Sequence, residues 1–594
     1  MRRLVVAATC ALLLAPAAQA ATPTRPVYDS KGHVIDTPYA PPKPRPILTE
    51  AKAQALFLGN PKIHDWLRHY PPKKRQYETK FSPSLKNWTV KIWSGPAGEV
   101  ATGRVDDTTG VVTEAWTGPQ VAWKMARGGE GAFGGKEINS VGVWLAFCLA
   151  FLIGLADFRR PLSVRNLDLL ALLSFTASLW YFNKGHIFTS VPLVYPPLVY
   201  LLGRMLWTAR TDRPAPAGRP LWPVWVLAAA TVFLAGFRIG LNVQASNVID
   251  VGYSGVIGAD RIAHGESPYG HFPIEGNLKA CGPADAEGEI RERIQTNGRC
   301  ESANDRGDTY GPVAYEAYLP AYAITGWSGK WDKLPAAHVT AVALDLLCLI
   351  GLALVGLRFG GWRLAATLGF AWAAWPFTQY VSSSNTNDAL LPAFLIWGFW
   401  LVSSPAGRGV FSALAGWTKF AALLVAPLWA SYPDAFRRPR EKALFGWWFL
   451  WATAAAFFVL LLEPDPFHAA RVFFDRTVSW QVGRESPFSI WDWRQYHAGL
   501  PDLHGVQLVL EAVLVAGAIA AYFLPRRKSP LQLAALTAAL LIGFELVLTH
   551  WFYLYLPWFF PFVAFVVLVP RAAEAPVEVA AESDRPVREL VPAS

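Results

Sequence analysis

From about residue 138 to residue 569 the chain is a succession of apolar runs, each near the length needed to cross a hydrocarbon core about 30 Å thick. This limits the possible folds more than any other feature, because backbone placed in lipid must satisfy its own hydrogen bonds, and only helices and closed barrels do so. Runs of this length favour helices. Full spans are expected near 139–157, 167–182, 187–207, 221–240, 337–357, 362–381, 387–403, 443–463, 506–524, 531–549 and 552–569. Composition agrees: 53% of the 594 residues are hydrophobic and 16% are charged, too few charges for an ordinary soluble multidomain chain. The formal net charge of +10 gathers in short clusters between the runs, such as "DFRRPLSVR", "FRRPREK" and "PRRKS". That is the habit of cytoplasmic loops, so membrane lipid is an expected partner and nucleic acid is not.

The first twenty residues, "MRRLVVAATCALLLAPAAQA", carry two arginines, an apolar core and a small-x-small ending, and read as a cleaved secretory signal. With the mature chain starting outside, the ladder places the arginine clusters at 159–165, 204–213, 358–363, 437–440 and 526–528 in the cytoplasm. This holds only if "GPVAYEAYLPAYAITG" lies along the outer surface and "GVFSALAGWTKFAALLVAPLWA" dips into the membrane and returns as two half-helices around Lys419, since a single crossing would send "RRPREK" to the wrong side. The loop 241–336 is then extracytoplasmic, and the tail 571–594 a disordered cytoplasmic end. In that loop Cys281 and Cys300 are candidates for a disulfide, while Cys148 and Cys348 lie in apolar runs and read as core.

Residues 21–136 differ in character. A Pro-rich linker leads to a helical stretch, "TEAKAQALFLGNPKIHDWLRHY", interrupted near Asn60-Pro61. Then "NWTVKIWSG", "GEVATGRVDD" and "GVVTEAWTG" alternate apolar and polar residues as a small antiparallel meander, with a turn at Asp107-Thr108-Thr109-Gly110. The acidic turn followed by Gly and Val, set between strands, resembles a PepSY domain, which implies a regulatory or ligand-sensing appendage; a passive folded appendage is the plain alternative. The expected class is therefore mainly α: a polytopic helical bundle of about eleven full spans plus a re-entrant helical hairpin, over 137–570, with a small α+β extracytoplasmic domain before it.

Under this topology the polar residues converge on the outer side. They are "NVIDVGY" with Asn247, Asp250 and Tyr253, "HGESPYG" with Tyr269, "GDTYGP" with Tyr310, "SSSNTND" with Asn385, Asn387 and Asp388, "WQVGRESPF" with Gln481 and Arg484, and "THWFYLY" with His550 and Tyr553. A carboxylate at the bilayer rim can take a proton from a sugar hydroxyl while lysine and arginine hold a departing phosphate. No GxxxxGK[ST] or strand-linked GxGxxG motif appears, which disfavours a nucleotide donor and leaves a lipid-borne one. No spacing of His, Asp and Glu commits to a metal, and no cofactor is expected.

The outer Asp at a span end, "SPY" and "YGP" after it, the turn "NTNDALL", the half-helix "AGWTKFAALLVAPL" and "QVGRESPFSIW" together resemble the GT-C glycosyltransferases. The likeness covers roughly 221–570 and is nearest to glycosyltransferase family 87, the polyprenyl-phosphate-mannose-dependent mannosyltransferases. The resemblance implies an extracytoplasmic membrane enzyme that moves mannose or arabinose from a polyprenyl phosphate to an envelope glycan or glycolipid. It implies Asp250 as the catalytic carboxylate, Lys419 and Arg484 as contacts of the lipid phosphate, and His550 as a second base or phosphate contact. Three extra N-terminal spans, the domain before them and the Cys-bearing insertion depart from the family and leave the acceptor open. Plain alternatives stand beside each role: a helix-end carboxylate, a headgroup contact for Arg484, a snorkelling His550. A transporter or lipid flippase with a periplasmic sensory domain is the rival reading; it calls for internal repeats, and none is obvious.

Overall fold

The computed structural model describes residues 46–570, except 84–85, 95–98, 118–132, 214–221, 273–292, 295–299, 302–306, 328–333, 480, 482–485, 487 and 497–499, and also two short strands, Val27–Tyr28 and Val34–Asp36. The expected signal, most of the Pro-rich linker, the tail, Arg484, Cys281 and the side chain of Cys300 lie outside the described residues.

The N-terminal domain follows its local signals. Helix α1, Glu50–Leu58, is capped by Thr49 and ends at Gly59. Helix α2, Pro61–Leu67, starts where Asn60 caps with its side chain on the Lys62 amide (3.1 Å) and Pro61 fills the first position, so the interruption read from Asn60-Pro61 is a cap followed by a new helix. Four strands, β1 Arg75–Ser82, β2 Asn87–Ser94, β3 Glu99–Asp106 and β4 Val112–Thr117, form an antiparallel meander in sequence order. Trp88, Val90 and Ile92 alternate inward on β2 and meet Phe57 of α1. At Gly103 an added Cβ would stand 2.4 Å from the Phe57 ring and 2.1 Å from the Glu114 carbonyl, so helix and sheet touch there only because the residue is glycine. The turn closes on Asp106, whose carboxylate accepts from the Thr108 and Thr109 amides, with Gly110 at φ +70°. Asp107 ties the entering chain to the sheet through the Ile47 and Leu48 amides and the Trp88 indole N–H. Strand β1 was not expected: "RQYETKFS" is an edge strand without an apolar alternation.

The rest is helical apart from one pair of two-residue strands, Arg293–Ile294 with Cys300–Glu301. Among the described residues, five helices are long and apolar enough to cross a membrane: Val224–Ala245, Pro335–Ala374, Pro439–Leu462, His504–Phe523 and Pro530–Val547. The apolar helices Val141–Leu155 and Leu390–Trp400 are shorter, and Val164–Asn183, Tyr195–Thr211 and Phe560–Leu568 complete the packed core. We call Val224–Ala245 α3, Asp250–Ala263 α4, Pro335–Ala374 α5 and Pro376–Ser383 α6. Gly361, at φ +68°, breaks α5 between the two expected spans 337–357 and 362–381, and Trp375, extended before Pro376, ends it.

A buried polar brace ties α3 to α5 and α6. Arg238, wholly buried, forks onto the Asp345 carboxylate (Nε to Oδ2, 3.0 Å) and donates to Thr378 Oγ1 (3.0 Å) and the Ala373 carbonyl (3.2 Å). Trp372 Nε1 donates to the same carboxylate (2.8 Å). One turn further along α3, Asn242 donates to the Ser382 carbonyl and to Asn385 Oδ1, and its own Oδ1 meets His338 Nδ1. The brace thus runs from mid-helix up to the turn that follows α6.

Candidate functional site

Helix α4 begins at Asp250, an acid in the first turn where the helix dipole favours it. The chain entering α4 lies against the residues after α6: Asn247 N donates to the Ser383 carbonyl (3.2 Å) and Ile249 N to that of Ser384 (3.4 Å). Gly252 allows this approach, since a Cβ would stand 2.2 Å from the Asn385 carbonyl oxygen. Asn385 adopts φ +52° and closes the junction, its Nδ2 donating to the Asn247 carbonyl and to Ser246 Oγ, both at 2.8 Å. Asn247 and Asn385 therefore act as cross-links that aim the start of α4, and Asp250 itself is half-buried.

The turn continues into Asp388, where the second element arrives. Helix α7, Pro405–Gly416, stops at Trp417; a 3-10 helix, Phe420–Val425, and α8, Ala426–Ala430, run back beside it. The two legs are closed at their base by Arg408, whose guanidinium donates to the carbonyls of Val402, Trp429 and Tyr432. Lys419 stands at the tip. Its ammonium lies 3.2 Å from Asp388 Oδ1, an ion pair off hydrogen-bond alignment, and 4.2 Å over the Tyr310 ring.

A third strip, 307–312, fills the space between α4 and the hairpin tip. A Cβ at Gly307 would collide with Ser254 Oγ of α4, and one at Gly311 would stand 1.9 Å from the Trp417 carbonyl oxygen. Asp308 is fully buried; its Oδ2 accepts from the Gly270 amide (2.9 Å) and pairs with Arg476 Nε (3.3 Å). Tyr269 donates its hydroxyl to the Tyr310 carbonyl (2.9 Å). Glu463 holds the same loop from another side, accepting from the Ser267 amide and pairing with His271 at 3.0 Å. Tyr253 packs edge-on against Phe272, which gives it a packing task.

Asn247 and Asn385 are joined by a hydrogen bond, Asp388, Lys419, Tyr310 and Tyr269 by an ion pair, a ring contact and a hydrogen bond, and the two sets meet along residues 385–388, with Asp250 three residues after Asn247. His550 and Tyr553 belong to a second node. His550 Nδ1 meets Ser486 Oγ at 2.9 Å, Ser486 N donates to Asp492, and Phe488 packs on the imidazole. Tyr553 is buried, with its hydroxyl 2.6 Å from Ser178 Oγ. Gln481 is exposed.

Several polar atoms in the first neighbourhood are buried with no hydrogen-bond partner among the described residues: both amide atoms of Asn387, Asp388 Oδ1, Asp308 Oδ1 and the Tyr318 hydroxyl. Burial, and then the Asp388 charge, raise the Tyr318 pKa. Tyr318 and Arg476 were not among the expected site residues. Tyr318 sits in "YEAYLPAY" as one aromatic among many, and Arg476 in "FFDRTVSW" as a single interfacial charge; only the first would have been recoverable, from its nearness to "YGP". Among the described residues, no group of three or more His, Cys, Asp or Glu side chains converges as a metal site would require. The arrangement offers a carboxylate at a helix start, a cation on a tether and a set of unmet acceptors and donors. No protein-family model matches the chain, and neither does any curated protein.

Proposed function

We propose that this chain is an integral membrane glycosyltransferase of GT-C type that takes a sugar, mannose or arabinose, from a polyprenyl phosphate and passes it to an envelope glycan or glycolipid on the extracytoplasmic face. The observation that carries the reading is that the chain entering α4 at Asp250 is hydrogen-bonded to residues 383–385, just before Asp388, whose carboxylate pairs with Lys419 at the tip of a broken hairpin. In this reading the acceptor hydroxyl oxygen forms a bond to the anomeric carbon and the bond from that carbon to the phosphate oxygen breaks. Asp250 takes the hydroxyl proton, and the lipid phosphate keeps the electron pair, its charge met by Lys419. The ion pair with Asp388 suits Lys419 to this task, because a tethered ammonium already desolvated beside a carboxylate can shift to an arriving phosphate with little reorganisation. About eleven crossings, the outward orientation of 241–336 and a PepSY-like sensing role for the N-terminal domain belong to the same proposal.

The transporter reading finds some support in Arg238 and Asp345, charges inside apolar helices. Those two satisfy each other and leave no open ion position between them, so the transferase reading is preferred. Asp250→Asn, assayed in membranes given labelled polyprenyl-phosphate sugar, is expected to lower transfer by about 10²-fold or more at unchanged protein level. Unchanged transfer would remove Asp250 from the mechanism.

A further inference from the structure

Two loops, 431–442 and 524–529, are joined at one end of the bundle, although Asp434 and Arg527 within them stand 93 positions apart in the chain. Their backbones pair: Ala435 N donates to the Arg526 carbonyl and Lys528 N to that of Pro433, both at 2.9 Å. Asp434 fixes the first loop by accepting from the Phe436 and Arg437 amides (2.9 and 3.0 Å), and Lys442 holds it by donating to the Ala435 and Arg437 carbonyls. Lys528 does the same for the second loop through the carbonyls of Tyr522 and Pro525. The lysines and the acid build the surface, and arginines are what it presents. Arg437, Arg438, Arg440, Arg526 and Arg527 are all exposed, while the two loops contain only Asp434 and Glu441 as acids. Arg527 engages Asp434 by Nε (3.3 Å) with 71% of its side chain still exposed, Arg438 pairs with Glu441 (2.9 Å), and Asp212, at the edge, accepts from Ser529.

The same surface has an apolar half. Phe436 and Phe523 pack with ring centroids 6.0 Å apart, and the Arg526 guanidinium lies 5.4 Å from the centre of the Phe436 ring. Phe436, Phe523 and Leu524 are 60%, 43% and 67% exposed. Neighbouring open apolar side chains beside guanidiniums call for a partner that is anionic at one end and apolar at the other. The level in the bundle agrees: Pro439–Leu462 and Pro530–Val547 begin here and His504–Phe523 ends here, all three apolar enough to cross a membrane. A soluble anion would leave the rings wet, whereas a phospholipid sets its phosphate against arginine and its acyl chains against the rings. We infer that loops 431–442 and 524–529 form a binding surface for anionic phospholipid, with Arg437, Arg526 and Arg527 at the headgroup and Phe436, Phe523 and Leu524 at the first acyl carbons. The surface starts one residue after Tyr432, whose carbonyl Arg408 holds in closing the hairpin legs, so a lipid bound there braces the hairpin at its base, away from the tip at Lys419. Neither Asp250 nor Lys419 takes part, and the inference does not depend on the transferase reading.

The test is native mass spectrometry of the full-length protein in a neutral detergent, titrated with dihexanoyl phosphatidylglycerol, dihexanoyl phosphatidylcholine or glycerol phosphate. Phosphatidylglycerol is expected to bind at least tenfold more tightly than either of the others. Each basic residue beside an anionic lipid is worth about fivefold, so the double variant R437Q/R526Q should lose about twentyfold or more in phosphatidylglycerol affinity. Removing two exposed arginines elsewhere, in R159Q/R160Q, should change it less than twofold. Phe436→Ala should weaken phosphatidylglycerol several-fold and leave glycerol phosphate unchanged. Equal binding of the two lipids overturns the inference, as does an unaltered R437Q/R526Q. A loss as large in R159Q/R160Q reduces the effect to net charge and overturns it too. Glycerol phosphate bound as tightly as the lipid would make this a phosphate site, and a dimer lost in R437Q/R526Q without any change in lipid affinity would give the face to a second copy of the chain; either result refutes a lipid surface.

Discussion

The brace between Arg238 and Asp345 supports the sharpest prediction about stability, because both charges are buried and each has countable partners. In Asp345→Leu the guanidinium keeps Thr378 and the Ala373 carbonyl but loses the carboxylate that pairs with it. An uncompensated buried charge costs about 3–5 kcal/mol. The Trp372 indole N–H also loses its acceptor, which adds about 1–3 kcal/mol. The single variant should therefore fall by about 4–8 kcal/mol, enough to unfold a marginal bundle. Combining it with Arg238→Met removes the stranded charge and leaves mainly the indole unsatisfied, so the double variant should recover most of the loss and lie within about 1–3 kcal/mol of the parent. The measurement is unfolding by added denaturing detergent from a mild-detergent micelle, followed by tryptophan fluorescence, for the parent, both single variants and the double. A double variant as unstable as Asp345→Leu would refute the argument, as would a single variant within about 1 kcal/mol of the parent. Either outcome would mean that the pair is neither desolvated nor mutually dependent. Because Asn242 continues the brace to Asn385, the single variant should also loosen the start of α4.

Other expectations follow from particular contacts. In Gly252→Ala the new methyl must push the Asn385 carbonyl from 2.2 Å, which displaces Asp250; transfer activity should fall at least tenfold while the protein still accumulates, and full activity would show that the junction with α4 is not needed. Glu316, on the short helix Val313–Glu316, has its carboxyl pushed up to about 7 by burial. The folded state therefore prefers the proton: its contribution is fully present below about pH 4.5 and is lost as pH rises through 7, by at most about 3 kcal/mol. A pH series of unfolding midpoints should show that loss, and Glu316→Gln should flatten it; a parental curve already flat between pH 5 and 8 would contradict the assignment.

Much of this architecture was legible along the chain. Helices fall where apolar runs of sufficient length occur. The break at Lys419 was readable because a lysine in the middle of an apolar segment cannot rest in lipid, and α7 and the returning leg part there. Asn60-Pro61 and the turn at Asp107–Gly110 announced themselves through local cap and turn chemistry, although it is Asp106, one residue earlier, whose carboxylate closes the turn. Strand β1 did not, because an edge strand of charged and polar residues carries no alternation to read. The sidedness of the polar segments was inferred from arginine clusters, but sidedness alone says nothing about which groups touch.

Sequence by itself determined what depends on neighbours within a few residues or on total apolarity: where most helices lie, caps, turns, and the need for a lipid-like or packed surrounding for most of the chain. Only the tertiary structure decided that Arg238 answers Asp345 across 107 positions, that Lys419 pairs with Asp388 over the face of Tyr310, and that His550 joins Ser486 in a separate node. The physical reason is that a charge can be satisfied by any opposite charge that packing brings near. The pattern of a chain states which groups need partners, and the close approach of helices, down to glycines with no room for a Cβ, selects among them.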